Sequence, residues 1–377
     1  MQYVMLKDVC VINMGQSPNS DSYNDDGEGV PFFQGNADFG ERYPITRKWC
    51  TDPTKIAAPQ DILISVRAPI GAMNYAKENC CIGRGLAALT PDETKVSSEF
   101  IFWLLKGKNA ELNNKGTGST FKAIGRKVLE EIMIPDIPLE KQLGYSEILE
   151  KVYTVIQLRK TEIKKYDELI KARFVEMFGT LNSPSQEFTK ATLKELCNKI
   201  TDGKHGGCKV EKGTERYFIG AREIYDDEVH YDTAPEINVD EFEKDYKRCN
   251  IEIGDFLIVN TGATIGKSAI TTDERTEHTL LQKSVALLKV KKELLNPVFL
   301  KWCYRINIQM YIVESASAQP NLLLSKINST VIYVPDIELQ NQFADFVHQV
   351  DKSKVAVQKA LEETQVLFDS LMQQYFG

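Results

Sequence analysis

The chain repeats itself. Tyr145 to Gly179 and Phe343 to Gly377 align without a gap at an offset of 198 residues, and both stretches finish in Phe-Gly, Phe178-Gly179 and Phe376-Gly377. Upstream, Pro135-Asp136-Ile137-Pro138-Leu139 corresponds to Pro335-Asp336-Ile337-Glu338-Leu339. A duplicated unit this long demands two similar globular domains, each followed by a similar helix. Such a molecule suits a task performed twice at a fixed separation.

Bulk properties fit that plan. A chain of 377 residues is long enough for two separate cores. No uninterrupted apolar run approaches the roughly 20 residues that span a bilayer. Met1-Gln2-Tyr3-Val4-Met5-Leu6-Lys7-Asp8 lacks the basic-then-apolar layout of a signal peptide, so a cytoplasmic address is expected. Eight cysteines without a Cys-x-x-Cys pair read as reduced, mostly buried thiols. His205, His230, His278 and His348 show no ligand spacing, so no metal site is expected. A net charge of −7 argues against a free-standing, non-specific nucleic-acid binder, because neutralising phosphate dominates such binding. For a nucleic-acid ligand, local basic loops or a partner must supply positive surface.

The two copies share an order of elements. Leu6-Lys7-Asp8-Val9-Cys10 opens the first and Leu193-Lys194-Glu195-Leu196-Cys197 the second. Short apolar runs bounded by Gly, Pro and Asp predict strands at Val30–Asn36 and Tyr217–Arg222. The best-matched strands are Asp61–Val66 and Asp255–Asn260, each leading into a glycine turn, followed by strands at Leu86–Leu89 and Ser284–Leu288. Helices over Phe100–Leu105 and Val298–Cys303 come next. This order predicts an α+β fold with two similar mixed α/β domains rather than a βαβ series. The boundaries fall at 1–138 for the first domain, 139–181 for a central helix, 182–337 for the second domain and 338–377 for a final helix.

Both helices carry apolar residues at alternating spacings of three and four. Leu149, Val152, Ile156, Ile163, Tyr166 and Ile170 line one seam; Val347, Val350, Val357, Leu361, Phe368 and Leu371 line the other. Some 35–40 residues make a helix of about 50–60 Å, long for a globular domain, and the duplication provides each with a mate. An antiparallel coiled coil is predicted, with polar Arg159, Lys354 and Thr364 fixing its register at some expense of stability.

Gly262-Ala263-Thr264-Ile265-Gly266-Lys267-Ser268 looks like a phosphate loop but has three residues between its glycines where that loop needs four. A nucleotide-dependent enzyme using Gly262–Ser268 is the weakest alternative. No nucleophile elbow or zinc-protease motif occurs, and no catalytic residue is nominated. What recurs is a set of glycine-punctuated loops bearing the side chains that pair with base edges and phosphates. The first copy offers Gln16, Asn36, Arg67, Arg84, Lys115, Thr117, Thr120 and Lys122; the second offers Lys204, His205, Arg222, Thr261, Lys267, Lys283, Gln319 and Asn321.

The ordered motifs resemble the specificity (S) subunit of type I restriction–modification systems over almost the whole chain. They are the paired openings, Thr201-Asp202-Gly203-Lys204-His205, the Asp-headed strands with Ile-Gly turns, the Pro-Asp-Ile junctions, Leu339–Val347, Val350-Asp351-Lys352-Ser353 and the Phe-Gly ends. The resemblance implies two target recognition domains joined by conserved spacer helices, without catalytic residues or bound cofactors. It implies double-stranded DNA as ligand and two adenine-methyltransferase (M) subunits as partners, with restriction (R) subunits in a full complex. S-adenosylmethionine, ATP and Mg would act on those partners. The copies share framework but few loop residues, which predicts an asymmetric, bipartite target, its half-site separation set by the helices. The runner-up reading is the recognition part of a single-polypeptide restriction–methylation enzyme.

Overall fold

Two four-stranded antiparallel sheets of identical strand order form the framework of the computed structural model, which describes residues 2–118, 122–311 and 321–376. In the first, strands β1 (Cys10–Met14), β2 (Ile62–Ser65), β3 (Met73–Tyr75) and β4 (Leu86–Pro91) lie in the order β1-β4-β2-β3. In the second, β5 (Cys197–Asp202), β6 (Phe256–Val259), β7 (Ser268–Ile270) and β8 (Val285–Val290) lie in the order β5-β8-β6-β7. Helix α1 (Ser98–Gly107) follows the first sheet, and α3 (Pro297–Ile306) the second. The long helices are α2 (Leu139–Phe178) and α4 (Ile337–Phe376), each 40 residues and so about 60 Å. Contacts divide the chain into two compact units, residues 1–160 with 359–377, and residues 161–358.

Continuous apolar strands are the mark of a sheet covered on both faces, and β2 and β6 are such strands. In the first unit Ile62, Ile64, Ala87 and Leu89 pack with Phe100, Trp103 and Leu104. The opposite-facing Leu63, Leu86 and Ala88 pack with Phe33 and Ile82. The second unit repeats this: Phe256, Ile258 and Leu288 meet Phe299 and Leu300, while Leu257, Val259 and Leu287 meet Ile219 and Leu281. Both units also share a parallel strand pair, Val30–Phe33 with Cys80–Ile82 and Tyr217–Ile219 with Thr279–Leu281. Around that pair they diverge. The first unit builds a five-stranded sheet of short strands there; the second has a small hairpin (Ile224–Tyr225 with Glu228–Val229) and a helix over Val239–Tyr246. Seven of the eight cysteines are buried and all are free thiols; burial pushes Cys10, Cys80 and Cys197 up to about 12.

Within each unit the two long helices pack antiparallel, as the heptads predict. In the first, Tyr145 stacks on Tyr375 at 4.0 Å, Phe368 packs on Trp103 at 5.6 Å, and Arg159 donates to Thr364 Oγ1 and the Ala360 carbonyl. Leu149, Ile156 and Phe368 are buried there, with Val152, Leu361 and Leu371 packed against them. In the second, Lys354 pairs with Asp167 at 2.9 Å, and Phe343 lies 5.3 Å from Phe174 and 5.6 Å from Phe178. Ile170, Val347 and Val350 are buried with Tyr166 against them, and Ile163 and Val357 are half-buried. The apolar contact is wider than the strict heptad, because Tyr153, Phe174, Phe178 and Phe343 also join it. The central Phe-Gly end is a helix cap. Gly179 has φ +73°, its N–H returns to the Val175 carbonyl, and a Cβ there would fall 2.3 Å from the Ser183 carbonyl oxygen. Gly377 lies outside the described residues.

A buried glutamine locks each long helix to its own sheet domain. Gln142 Oε1 accepts from the Ser97 N–H at 2.9 Å, and its Nε2 donates to the carbonyls of Ile137 and Lys95. Gln340, 198 residues on, accepts from the Asn296 N–H at 2.9 Å and donates to the carbonyls of Pro335 and Leu294. Leucine fits the volume but abandons these buried backbone groups. Gln340→Leu is expected to destabilise its unit by about 1–3 kcal/mol in urea titrations; an unchanged midpoint would refute the locking role.

Lys106 presents the reverse situation, a cation held against aromatic rings. Its ammonium lies 3.9 Å from the Tyr153 ring centre and 4.9 Å from that of Trp103. Burial, reinforced by Arg42 and Lys160 and opposed by Glu150, pulls it down to about 8. The unfolded lysine therefore holds its proton to higher pH, so its contribution to stability rises between about pH 8 and 10.5 and is lost below. Lys106→Met should gain stability relative to wild type at pH 7, and that gain should shrink by up to about 3 kcal/mol by pH 10.5. A pH-independent difference would show that the ammonium is not penalised by burial.

Candidate nucleic-acid interface

At one edge of each framework sheet, successive loops are stitched together by a repeated set of backbone hydrogen bonds. In the first unit Gly15 N–H bonds the Leu86 carbonyl at 2.9 Å, Gln16 N–H bonds Ile82, Gly83 N–H bonds Phe33, Val66 N–H bonds Gly85, and Ile124 N–H bonds Val66. In the second, Gly203 N–H bonds Val285, Lys204 N–H bonds Leu281, Gln282 N–H bonds Ile219, Asn260 N–H bonds Ser284, and Leu322 N–H bonds Asn260 at 2.7 Å. These bonds align Gln16 with Lys204, Arg84 with Lys283, Arg67 with Thr261, and Ala123 with Asn321. The match explains a glycine at the first bend. A Cβ on Gly15 would sit 2.2 Å from the Gly83 carbonyl oxygen, and one on Gly203 would sit 2.1 Å from that of Leu281.

Gln16, Arg67, Arg84, Lys204, Thr261, Lys283 and Asn321 thus lie on these edges, but the electrostatic situations of the loop residues differ. Arg67 and Thr117 both bridge to Ala123, and Lys122 accepts the Ala68 N–H through its carbonyl, so three candidates share one small ladder. Arg84 is exposed and its Nε donates to Ser17 Oγ at 3.2 Å, tying it to the loop of Gln16. Asn36 is half-buried and opens a short helical turn beside Gln34. In the second unit Thr261 bridges to Asn321, with Thr261 Oγ1 donating to Asn321 Oδ1 at 3.2 Å. Arg222 and Lys267 are exposed. Lys283 is exposed on the turn whose backbone bonds Lys204. Thr120 and Gln319 lie outside the described residues.

Two candidates are drawn into ion pairs with the protein's own acids, and a third is hydrogen-bonded to one. Lys115 pairs with Glu111 at 2.6 Å. Lys204 pairs with Asp245 at 2.6 Å and Glu241 at 3.4 Å, and the Asp245 bond raises its pKa. His205 meets Asp202 at 3.2 Å, and Arg248 bonds the same carboxylate. The signal was in the sequence, as the acidic run Asp240–Asp245, but only folding brings it to Lys204. Among the described residues Arg67, Arg84, Lys122, Arg222, Lys267 and Lys283 have no acidic partner within 4 Å and keep their charge available to an external anion.

The nucleotide-loop alternative does not survive the geometry. Gly262–Lys267 joins β6 to β7, which pair antiparallel, so the segment closes a hairpin. A phosphate loop must open a helix whose N-terminal amides face the anion, and no helix follows here.

Comparison with known proteins accounts for the duplication. The family model for the type I restriction modification DNA specificity domain matches residues 1–166 and again 185–365. The putative type I restriction enzyme MjaX specificity subunit of Methanocaldococcus jannaschii is 43% identical over 169 residues, covering 45% of this chain and 40% of that protein. The type I restriction enzyme EcoBI specificity subunit of Escherichia coli is 21% identical over 353 residues, covering 84% of this chain and 73% of that protein. In fold, the crystal structure of the type I restriction–modification system S subunit from M. genitalium matches all of this chain and 96% of its own, with a TM-score of 0.60 at 16% identity. With both repeats matched by one family model and both frameworks built alike, the chain belongs to the type I restriction–modification specificity family.

Proposed function

We propose that the chain reads a bipartite, asymmetric DNA duplex sequence, one half-site per unit, and directs methyltransferase subunits to it without catalysing a reaction itself. The observation that carries this reading is the repeated stitched edge, which presents acid-free cations in both units beside segments that differ between them. A shared scaffold with divergent inserts suits two readers with different targets. Adenine methylation, S-adenosylmethionine, and in a full complex ATP, Mg and restriction subunits, then belong to the partners. The first unit has an apolar groove that supports such a partner. Leu143 and Val155 are exposed on α2 and line a groove edged by Glu99, Glu147 and Glu150. A net-acidic reader also gains from a partner that closes around the duplex with positive surface.

The experiment is reconstitution. The purified chain alone should methylate no duplex, whereas the chain with its methyltransferase should methylate one bipartite motif. Methylation by the chain alone would favour a single-polypeptide enzyme, and methylation independent of the chain would refute the reading.

A further inference from the structure

The alignment of hydrogen bonds between the units places Arg84 and Lys283 at one and the same position, the middle of a three-residue turn. The turns are Gly83-Arg84-Gly85 and Gln282-Lys283-Ser284, and in each the residue after the turn closes it, Leu86 N–H onto Gly83 and Val285 N–H onto Gln282. Each turn is held from two sides, by the first loop (Gln16 N–H to Ile82; Lys204 N–H to Leu281) and by the strand end (Val66 N–H to Gly85; Asn260 N–H to Ser284). Both side chains are exposed and neither has an acidic partner among the described residues. Beyond the shared framework and backbone bonds, the units differ in inserted elements, loop residues and ion pairs.

We propose that Arg84 and Lys283 are equivalent DNA-backbone anchors, each gripping a phosphate and fixing the register of its unit on the duplex without reading a base. This deepens the DNA-recognition reading above and rests on it. A framework position that tolerates either a fork-shaped guanidinium or a point-charge ammonium suits a phosphate. Two half-sites of different sequence share a phosphate backbone but not a base, so a cation repeated at one framework position meets the same group in both only if that group is a phosphate. The segments that differ, Asn36–Cys50 and Arg222–Asn250, are left to discriminate bases, in keeping with the division between contacts that position and contacts that specify. Ser17 Oγ, bonded to Arg84 Nε, orients the guanidinium, whose outer nitrogens have no hydrogen-bond partner among the described residues.

The test uses the assembled complex with its methyltransferase, a duplex carrying the methylated motif and an unrelated duplex. Arg84→Ala and Lys283→Ala should each weaken binding to both duplexes about tenfold or more. Each should also flatten the dependence of log K on log salt by about 0.9. The methylated motif should stay the same, and Arg84→Lys and Lys283→Arg should restore binding. If wild-type complex binds no duplex, the DNA-recognition reading itself falls. If wild type binds but the alanine variants bind equally well, or change the methylated motif, or if Arg84→Lys fails to rescue, the anchor assignment falls while that reading stands.

Discussion

Phe178→Ala is expected to destabilise the second unit by about 3–5 kcal/mol, the largest loss from any single truncation proposed. Phe178 is fully buried and sits 5.0 Å from Phe174, 4.9 Å from Phe299 and 5.6 Å from Phe343. Its removal strips the end of α2 from the start of α4 and from α3 at once. Three helices meet at the ring, so collapse into the void is obstructed and little of the loss is recovered. Hydrogen exchange locates the effect. Amides of β6 and β8 should exchange about a hundredfold faster, since 3 kcal/mol is roughly that factor, while β2 and β4 stay protected. A uniform change in both sheets, or a loss below 1 kcal/mol, would show that the ring does not hold this unit together.

Exchanging residues 1–138 for the corresponding domain of another family member should replace one half of the methylated motif completely and leave the other half intact. The stitched edge with Arg67 and Arg84 lies wholly inside the exchanged segment, as does most of the first unit's core, which Leu149, Ile156 and Phe368 of the retained helices close. The junction is not inert. Gln142 must find its Ser97 amide, and Arg42 its Glu150 partner at 3.1 Å, so a donor lacking these contacts should fold poorly rather than read wrongly. Methylome sequencing of cells carrying the chimera decides the matter. Alteration of both half-sites, or of neither, would contradict one half-site per unit.

The framework was legible because it is written twice. Asp-headed strands, Ile-Gly turns and the long helices recur at a nearly constant offset, so periodicity in one copy confirmed that in the other. The buried glutamines Gln142 and Gln340 lie upstream of the gapless match that starts at Tyr145 and Phe343, their type signals surface, and only their hydrogen bonds reveal why burial is tolerated. The seam residues are buried or half-buried, and Tyr153, Phe174, Phe178 and Phe343 widen the contact beyond them. Helices packed on a domain bury a broader stripe than two free strands of a coiled coil.

The candidate interface divides the same way. Sequence alone determined that two alike domains, two long helices and a set of cationic, glycine-bent loops are present, because each of these is a local pattern. Only the tertiary structure decided which cations remain available. Asp245 and Arg248 stand far along the chain from Lys204 and Asp202, yet folding brings each to within 4 Å of its partner. Charge neutralisation acts through space at a few ångströms, and the chain order that local patterns record carries no measure of that distance.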